Sequence, residues 1–252
     1  MTRNRTILAL VAILAIGAGG YFAYDNVLRG DAVAPLSLPS AAPSSVASSA
    51  PSAARASDPV GAKPSTASAD GSVAGTWTVT TGSEAGYRVR EQLANLPAES
   101  DAVGRTSNVA GSVTLVAAGD GAQLTAGDLT VDTTTIASNE GRRDNRLRTE
   151  GLQTDQFPTA TFKLTQPVDI PAAALAGTAT DLTLVGDLTL HGVTKSVQIP
   201  AQARFTNGQI AVSGSISFPL SDFGIQTPNV GGFIVSIADQ GAMEFLVVFA
   251  KS

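Results

Sequence analysis

Positive charge gathers at one place in an otherwise acidic chain. Arg142, Arg143, Arg146 and Arg148 fall in the run 142–148 of a 252-residue sequence whose formal net charge is −5. Guanidinium forks match phosphate geometry, so one reading of this run is a cationic rim for an anionic headgroup. The other is a solvated helix surface balanced by Glu140, Asp144 and Glu150. The single histidine, His191, would have to serve as the base of any serine triad. It precedes Gly192 in a predicted hairpin turn, where a solvated or capping imidazole is expected. One histidine and no cysteine exclude disulfides, cysteine nucleophiles, thiolate sites and multi-histidine metal centres. The carboxylates are scattered over turns and polar strand positions, and their spacing supports no catalytic pair. There is no Gly-x-Ser-x-Gly elbow and no Walker loop; Gly119-Asp120-Gly121 reads as a turn. The expectation is a chain without catalytic residues, metal or cofactor, not an enzyme. Its acidity gives no field that favours nucleic acid.

The elements that must carry these residues are strands. In 181–200, Leu182, Leu184, Leu188 and Leu190 share one parity and Thr183, Asp187 and Thr189 the other. That is the period of a half-buried strand. His191-Gly192-Val193 interrupts it, and Val197 and Ile199 resume it, so the stretch predicts a long antiparallel hairpin. Similar alternation runs through Trp77 and Val79, Tyr87 and Val89, Val109 to Leu115, Leu129 to Thr133, Ala160 to Leu164, Ile210 to Phe218, and Met243 to Phe249. Asp120-Gly121 and Asn207-Gly208 are hairpin-turn signals between such segments. About eight to ten short strands in one domain suggest a barrel or sandwich. The run 138–152 breaks the pattern: Ser138 or Asn139 can cap a short helix and Gly151 can end it. Leu147, Leu152 and Phe157 would pack that helix over one barrel end.

Three regions follow. Residues 1–24 hold Arg3, Arg5 and an uncharged apolar run, 7–24, that would span roughly 27 Å as a helix. The small-x-small site near Ala23 is poor, which favours an uncleaved transmembrane anchor over a signal peptide. The basic residues precede the run, so the N-terminus is expected in the cytoplasm and the rest outside, with secretion if the segment is cleaved. Residues 25–72 are dominated by Ala, Ser and Pro and read as a disordered linker. Residues 73–252 are the folded domain. An eight-stranded barrel either fills with side chains or holds one small ligand. Many inward positions here are Gly, Ala, Thr or Val, which leaves room for a cavity; a filled barrel acting as a structural or interaction module is the alternative.

Two blocks carry a specific likeness: 139–162, NEGRRDNRLRTEGLQTDQFPTATF, and 186–197, GDLTLHGVTKSV. Trp77 precedes both, and Ser221-Asp222-Phe223-Gly224-Ile225 follows them. In this order they resemble the YceI-like family, which is lipocalin-like in shape. The resemblance covers 73–252. It implies an extended eight-stranded antiparallel β-barrel with one short helix near its mouth. The implied ligand is a long polyisoprenoid, such as a quinone tail or prenyl phosphate, or another long-chain lipid, and the implied setting is extracytoplasmic. Tunnel candidates are Trp77, Tyr87, Val89, Leu115, Leu129, Val131, Leu147, Phe157, Phe162, Leu164, Leu184, Leu188, Phe205, Phe218, Phe223 and Phe245. Headgroup-rim candidates are Arg142, Arg143, Arg146 and His191. Many family members carry a histidine after the Arg-Asp pair; here Asn145 and Arg146 follow Arg143-Asp144.

Overall fold

A computed structural model describes residues 33–39, 73–94, 99–227 and 234–252. The apolar run 7–24, and with it the predicted anchor, lies outside them, as do most of the residues read as linker. No helix among the described residues is long and apolar enough to cross a membrane.

The strands are β1 (Gly75–Val79), β2 (Glu84–Leu93), β3 (Ser100–Thr106), β4 (Val109–Ala118), β5 (Gly121–Asp132), β6 (Thr159–Leu164), β7 (Val168–Ile170), β8 (Thr180–Leu190), β9 (Val193–Thr206), β10 (Gln209–Pro219) and β11 (Ile234–Lys251). Eight of them close an antiparallel barrel in the order β1-β4-β5-β6-β8-β9-β10-β11 and back to β1. β11 makes that closure with its last residues only, Phe249 to Lys251 against β1. Its earlier part, Ile234 to Leu246, pairs with β2, and β2 pairs with β3. The wall is therefore taller on that side than β1 alone would make it. Closure removes the edges of these eight strands, and the sheet's remaining end is β3.

The β8–β9 hairpin runs without a break from Leu190↔Val193 to Thr180↔Ala203. Leu184, Leu188 and Leu190 are buried on one face, as the alternation requires. Its turn places both His191 (φ 50) and Gly192 (φ 73) at positive φ, the primed turn whose twist matches two-residue hairpins. Asn207 and Gly208 do the same between β9 and β10. Between β4 and β5 the turn is one residue earlier than the Asp-Gly signal suggests. Ala118 pairs with Gly121, and Gly119 takes the positive φ.

The predicted helix is present but shorter. α1 (Gly141–Arg146) is capped by Glu140, whose carboxylate accepts from Arg142 N–H. A wider turn over Leu147–Gly151 then carries the chain to Leu152. Ser138 does not cap the helix; its hydroxyl and N–H both bond the Asp144 carboxylate, which fixes α1 to the chain entering it. At the other end a second short helix, α2 (Ala172–Leu175), contacts β5 and β9. The core divides accordingly. One cluster around Leu188, Leu190, Phe218, Phe223 and Ile225 sits under α1, and another around Trp77, Val113, Leu115, Val247 and Phe249 fills the opposite end.

Candidate ligand cavity

The inward parity of the strands does not fill the barrel. A cavity of about 200 Å³ lies between the two clusters, where about 10–15 Å³ admits one water on the same measure. Its wall includes Val89, Leu129, Val131, Leu147, Phe162, Leu184, Leu188, Phe218 and Phe245. A second cavity of about 50 Å³ lies towards the Trp77 end, lined by Leu115, Leu124, Phe205, Val212 and Phe249 among others. Leu184 borders both. The filled barrel is thus not what this sequence forms.

Paired glycines and aromatics account for the hollow. Gly186, on β8, has the Phe162 ring where its Cβ would be, 2.5 Å from Cζ. Gly214 stands opposite Phe245 across the β10–β11 ladder, and its Cβ would lie 2.7 Å from that ring. Gly104 stands opposite Tyr87, with the ring 2.3 Å from the Cβ site. In each pair a ring lies against the neighbouring strand instead of standing into the lumen, the packing that aromatic residues give strand glycines. A β-carbon at these glycines would turn the rings inward.

One part of the wall is polar. Glu91, 4% exposed, follows Tyr87 and Val89 on the inward parity of β2 and bonds Arg143 Nη2 at 2.6 Å. Arg143 Nη1 donates to Asn139 Oδ1 at 2.9 Å. Arg146 also lines the cavity. Two buried polar atoms in this corner have no partner: the Tyr87 hydroxyl and Arg143 Nε. Ser138 stands beside Tyr87, but its hydroxyl is held by Asp144 Oδ1 at 2.6 Å. Burial pushes the Tyr87 hydroxyl up to about 12, reinforced by Asp144 and Glu91 and opposed by the Arg143 guanidinium. At neutral pH it is a donor with no acceptor. A buried donor left unpaired costs free energy that an acceptor on a bound molecule would recover.

The residues selected from sequence are sorted by this geometry. Tyr87, Val89, Leu129, Val131, Leu147, Phe162, Leu184, Leu188, Phe218, Phe245, Arg143 and Arg146 line the main cavity. Leu115 and Phe205 line the small one. The others do not reach either. Trp77 closes the far end, 2% exposed, with its indole N–H on the Val73 carbonyl and its ring edge-on to Phe205. Leu164 packs beside the cluster of Leu184 and Ile199. Phe223 is 1% exposed and packs edge-to-face on Phe218. Phe157 occupies the space over Gly192 and meets the His191 ring edge-on at 4.6 Å. His191 holds the Phe223 carbonyl with Nδ1 at 3.1 Å, so it ties a turn to a loop and is not a rim group. Arg142 is exposed, on the face of α1 away from the lumen. Arginines only one position apart on a helix diverge by about 100°, which is why Arg143 and Arg146 enter the site and Arg142 does not. Sequence reasoning missed Glu91 and Gly104. Glu91 had left a signal, a charge on the apolar parity of β2; Gly104 had none, because β3 was not read as a strand.

Among the described residues no group of three or more acidic, histidine or cysteine side chains could hold a metal. The comparisons agree with the architecture. A UPF0312 protein of Vibrio cholerae is 32% identical over 111 residues, 41% of this chain and 55% of that protein. The chain thus spans just over half the length of this curated relative. A solved polyisoprenoid binding domain from Saccharophagus degradans, implicated in plant cell wall breakdown, superposes with a TM-score of 0.54 at 16% identity, over 71% of this chain and 99% of that one. BcnA of Burkholderia cenocepacia gives 0.50 at 18% identity, over 66% and 95%. At such identities the two structures share the fold alone. The model of the YceI-like domain, however, matches residues 77–249, from β1 through β11. The barrel, its hollow apolar interior and that match agree, and the chain belongs to the YceI-like domain family.

Proposed function

We propose that this barrel binds a long apolar chain of polyisoprenoid type, with a neutral oxygen acceptor seated in the polar corner of the main cavity. The observation that carries the reading is the cavity of about 200 Å³ walled by apolar side chains. Each methylene moved from water into it contributes about 0.8 kcal/mol, so length alone supplies affinity without directional chemistry. The solved domain described as polyisoprenoid binding shares the fold and supports the chain class. The headgroup follows from charge. Glu91 takes up the charge of Arg143, which leaves Arg146 alone of the two lining arginines to meet an anion. The Tyr87 hydroxyl and Arg143 Nε are instead unpartnered donors buried beside the cavity, and a small shift of either side chain would bring them to a carbonyl such as that of a quinone. Prenyl phosphate, the other ligand the family resemblance implies, fits less well.

The chain acts by holding its ligand, for carriage, storage or sensing, and not by catalysis. The proposal includes an extracytoplasmic barrel tethered to the cytoplasmic membrane by residues 7–24. Native mass spectrometry of protein isolated from its host without detergent tests the binding. A co-purified mass that leaves on organic extraction is expected, and an empty protein would overturn the reading. In competition on the extracted protein, a short-chain quinone should displace that ligand better than a prenyl phosphate of equal length; the reverse order would overturn the headgroup assignment. Intact mass of the membrane fraction should include residues 3–24, and a mature start at or after Asp25 would replace the anchor with a signal peptide.

A further inference from the structure

The outer wall of the barrel carries a feature that the cavity does not explain. Tyr87 and Val89 face the lumen, so Arg88 faces outward, and the registers Arg88↔Val103, Gly86↔Arg105 and Glu244↔Gly86 place Val103, Arg105 and Glu244 on the same outer surface. Ser213 lies outward as well, opposite Leu246. On a bare barrel these side chains would meet water, yet Glu244 is 3% exposed, Ser213 6% and Val103 8%. Residues 33–39, Val-Ala-Pro-Leu-Ser-Leu-Pro, lie against this surface. Arg88 Nη2 donates to the Val33 carbonyl at 2.8 Å. Arg105 Nη2 donates to the Ala34 carbonyl and Arg204 Nη2 to the Pro39 carbonyl. Leu36 and Leu38 are half-buried, while Ser37 between them is exposed.

The three arginines stand on β2, β3 and β9. With β10 and β11 between, that is about 14–19 Å at the usual strand spacing. Ala34, held from β3, and Pro39, held from β9, are five residue steps or about 17 Å apart in extended chain, so with the reach of the two arginine side chains the segment crosses the strands at nearly full extension. Beneath its start, Arg88 and Arg105 bracket Glu244 at 3.5 and 2.9 Å. The carboxylate fixes the two guanidiniums, and their remaining N–H groups point at the segment. Gly86 lets β2 and β3 approach here, since its Cβ would meet the Gly104 carbonyl and, next, Arg105 Cγ at 2.9 Å.

We propose that this wall is a peptide-binding site for an extended, proline-containing segment read through its backbone carbonyls, and that residues 33–39 of the same chain are its resident ligand. Carbonyl recognition by guanidinium is independent of side chain, and Pro35 and Pro39 lower the ordering entropy of an extended backbone. Docking changes what the Ala/Ser/Pro-rich stretch does. A free tether from 33 to 72 would have a root-mean-square reach of roughly 35 Å. With 33–39 bound, whatever precedes Val33 joins the barrel at a fixed point on its wall and no longer through the whole of 33–72.

The chain has no cysteine, so two introduced ones report unambiguously. Spin labels on Ser37→Cys and Ser217→Cys in the full chain should give one narrow distance in pulsed dipolar spectroscopy, unchanged when labelled protein is diluted into unlabelled. Adding Arg204→Ala with Leu36→Ser and Leu38→Ser leaves Arg88, Arg105 and Glu244 paired and should broaden that distance. A broad distribution in the parent would overturn the proposal. So would a narrow one lost on dilution, which would put the segment on a second copy, or one that survives the triple substitution. In the second test, 33–39 is replaced by Gly and Ser. A fluorescent peptide of those seven residues should bind this variant at least ten-fold more tightly than the parent, whose site is occupied. Equal binding, or none to the variant, would show that the wall is not a peptide site.

Discussion

Leu184→Trp separates a hollow barrel from a packed one. Leu184 is 7% exposed, pairs with Ile199 in mid-strand and borders both cavities, about 200 and 50 Å³. In a filled core the larger side chain would overpack and cost about 1–3 kcal/mol. For a domain of this size each kcal/mol lowers Tm by about 2–4 °C, so the packed case predicts a loss of about 2–12 °C. Here an indole can extend into existing void, and the ligand-free Tm should fall by less than about 2 °C. The ligand suffers instead. An indole in the cavity displaces on the order of one isoprene unit, five carbons at about 0.8 kcal/mol each, or about 4 kcal/mol. That is about three orders of magnitude in Kd. Calorimetric melts of organic-extracted protein give the first quantity, and titration with geranylgeraniol delivered from cyclodextrin gives the second. A large drop in Tm with no binding to either protein would refute the cavity and with it the ligand.

Three further outcomes are expected. Gly104→Ala meets only side chains, Tyr87 and Ile136, so it should swing the Tyr87 ring off the wall; like Tyr87→Phe, it should weaken a quinone about five-fold relative to the same chain without oxygen, the worth of one hydrogen bond of about 1 kcal/mol, as read by parallel titrations. Glu91→Gln leaves the half-buried Arg143 without its counter-charge and should cost about 1–3 kcal/mol in denaturant unfolding, whereas Glu91→Leu with Arg143→Met should lie closer to wild type. The Tyr87 hydroxyl sits at about 12 in the fold against 10.0 for the free group. The folded state therefore holds a proton that the unfolded state has lost between those values. Stability from this group is fully present below pH 10 and falls as pH rises from 10 to 12, with a slope that Tyr87→Phe removes; difference absorbance of phenolate near 295 nm locates the titration.

Local pattern decided much of this molecule. The alternation of 181–200 dictated a hairpin with Leu184, Leu188 and Leu190 inside, because a strand has period two and only one face of a closed barrel is dry. Asn207-Gly208 and His191-Gly192 dictated their turns, since few residues tolerate positive φ. The Arg142–Arg148 run declared a short basic helix. Three things came only from tertiary structure. Whether the barrel was hollow depended on Phe162, Tyr87 and Phe245 lying over Gly186, Gly104 and Gly214, pairs set by register between strands distant in sequence. The charge of the polar corner depended on Glu91 reaching Arg143, which neutralised one of its two lining arginines. The fate of 33–39 depended on Arg88, Arg105 and Arg204 converging on one wall. Composition marks that stretch as linker, because composition registers what a segment can bury by itself and not the carbonyl groups it can offer to a surface formed elsewhere in the chain.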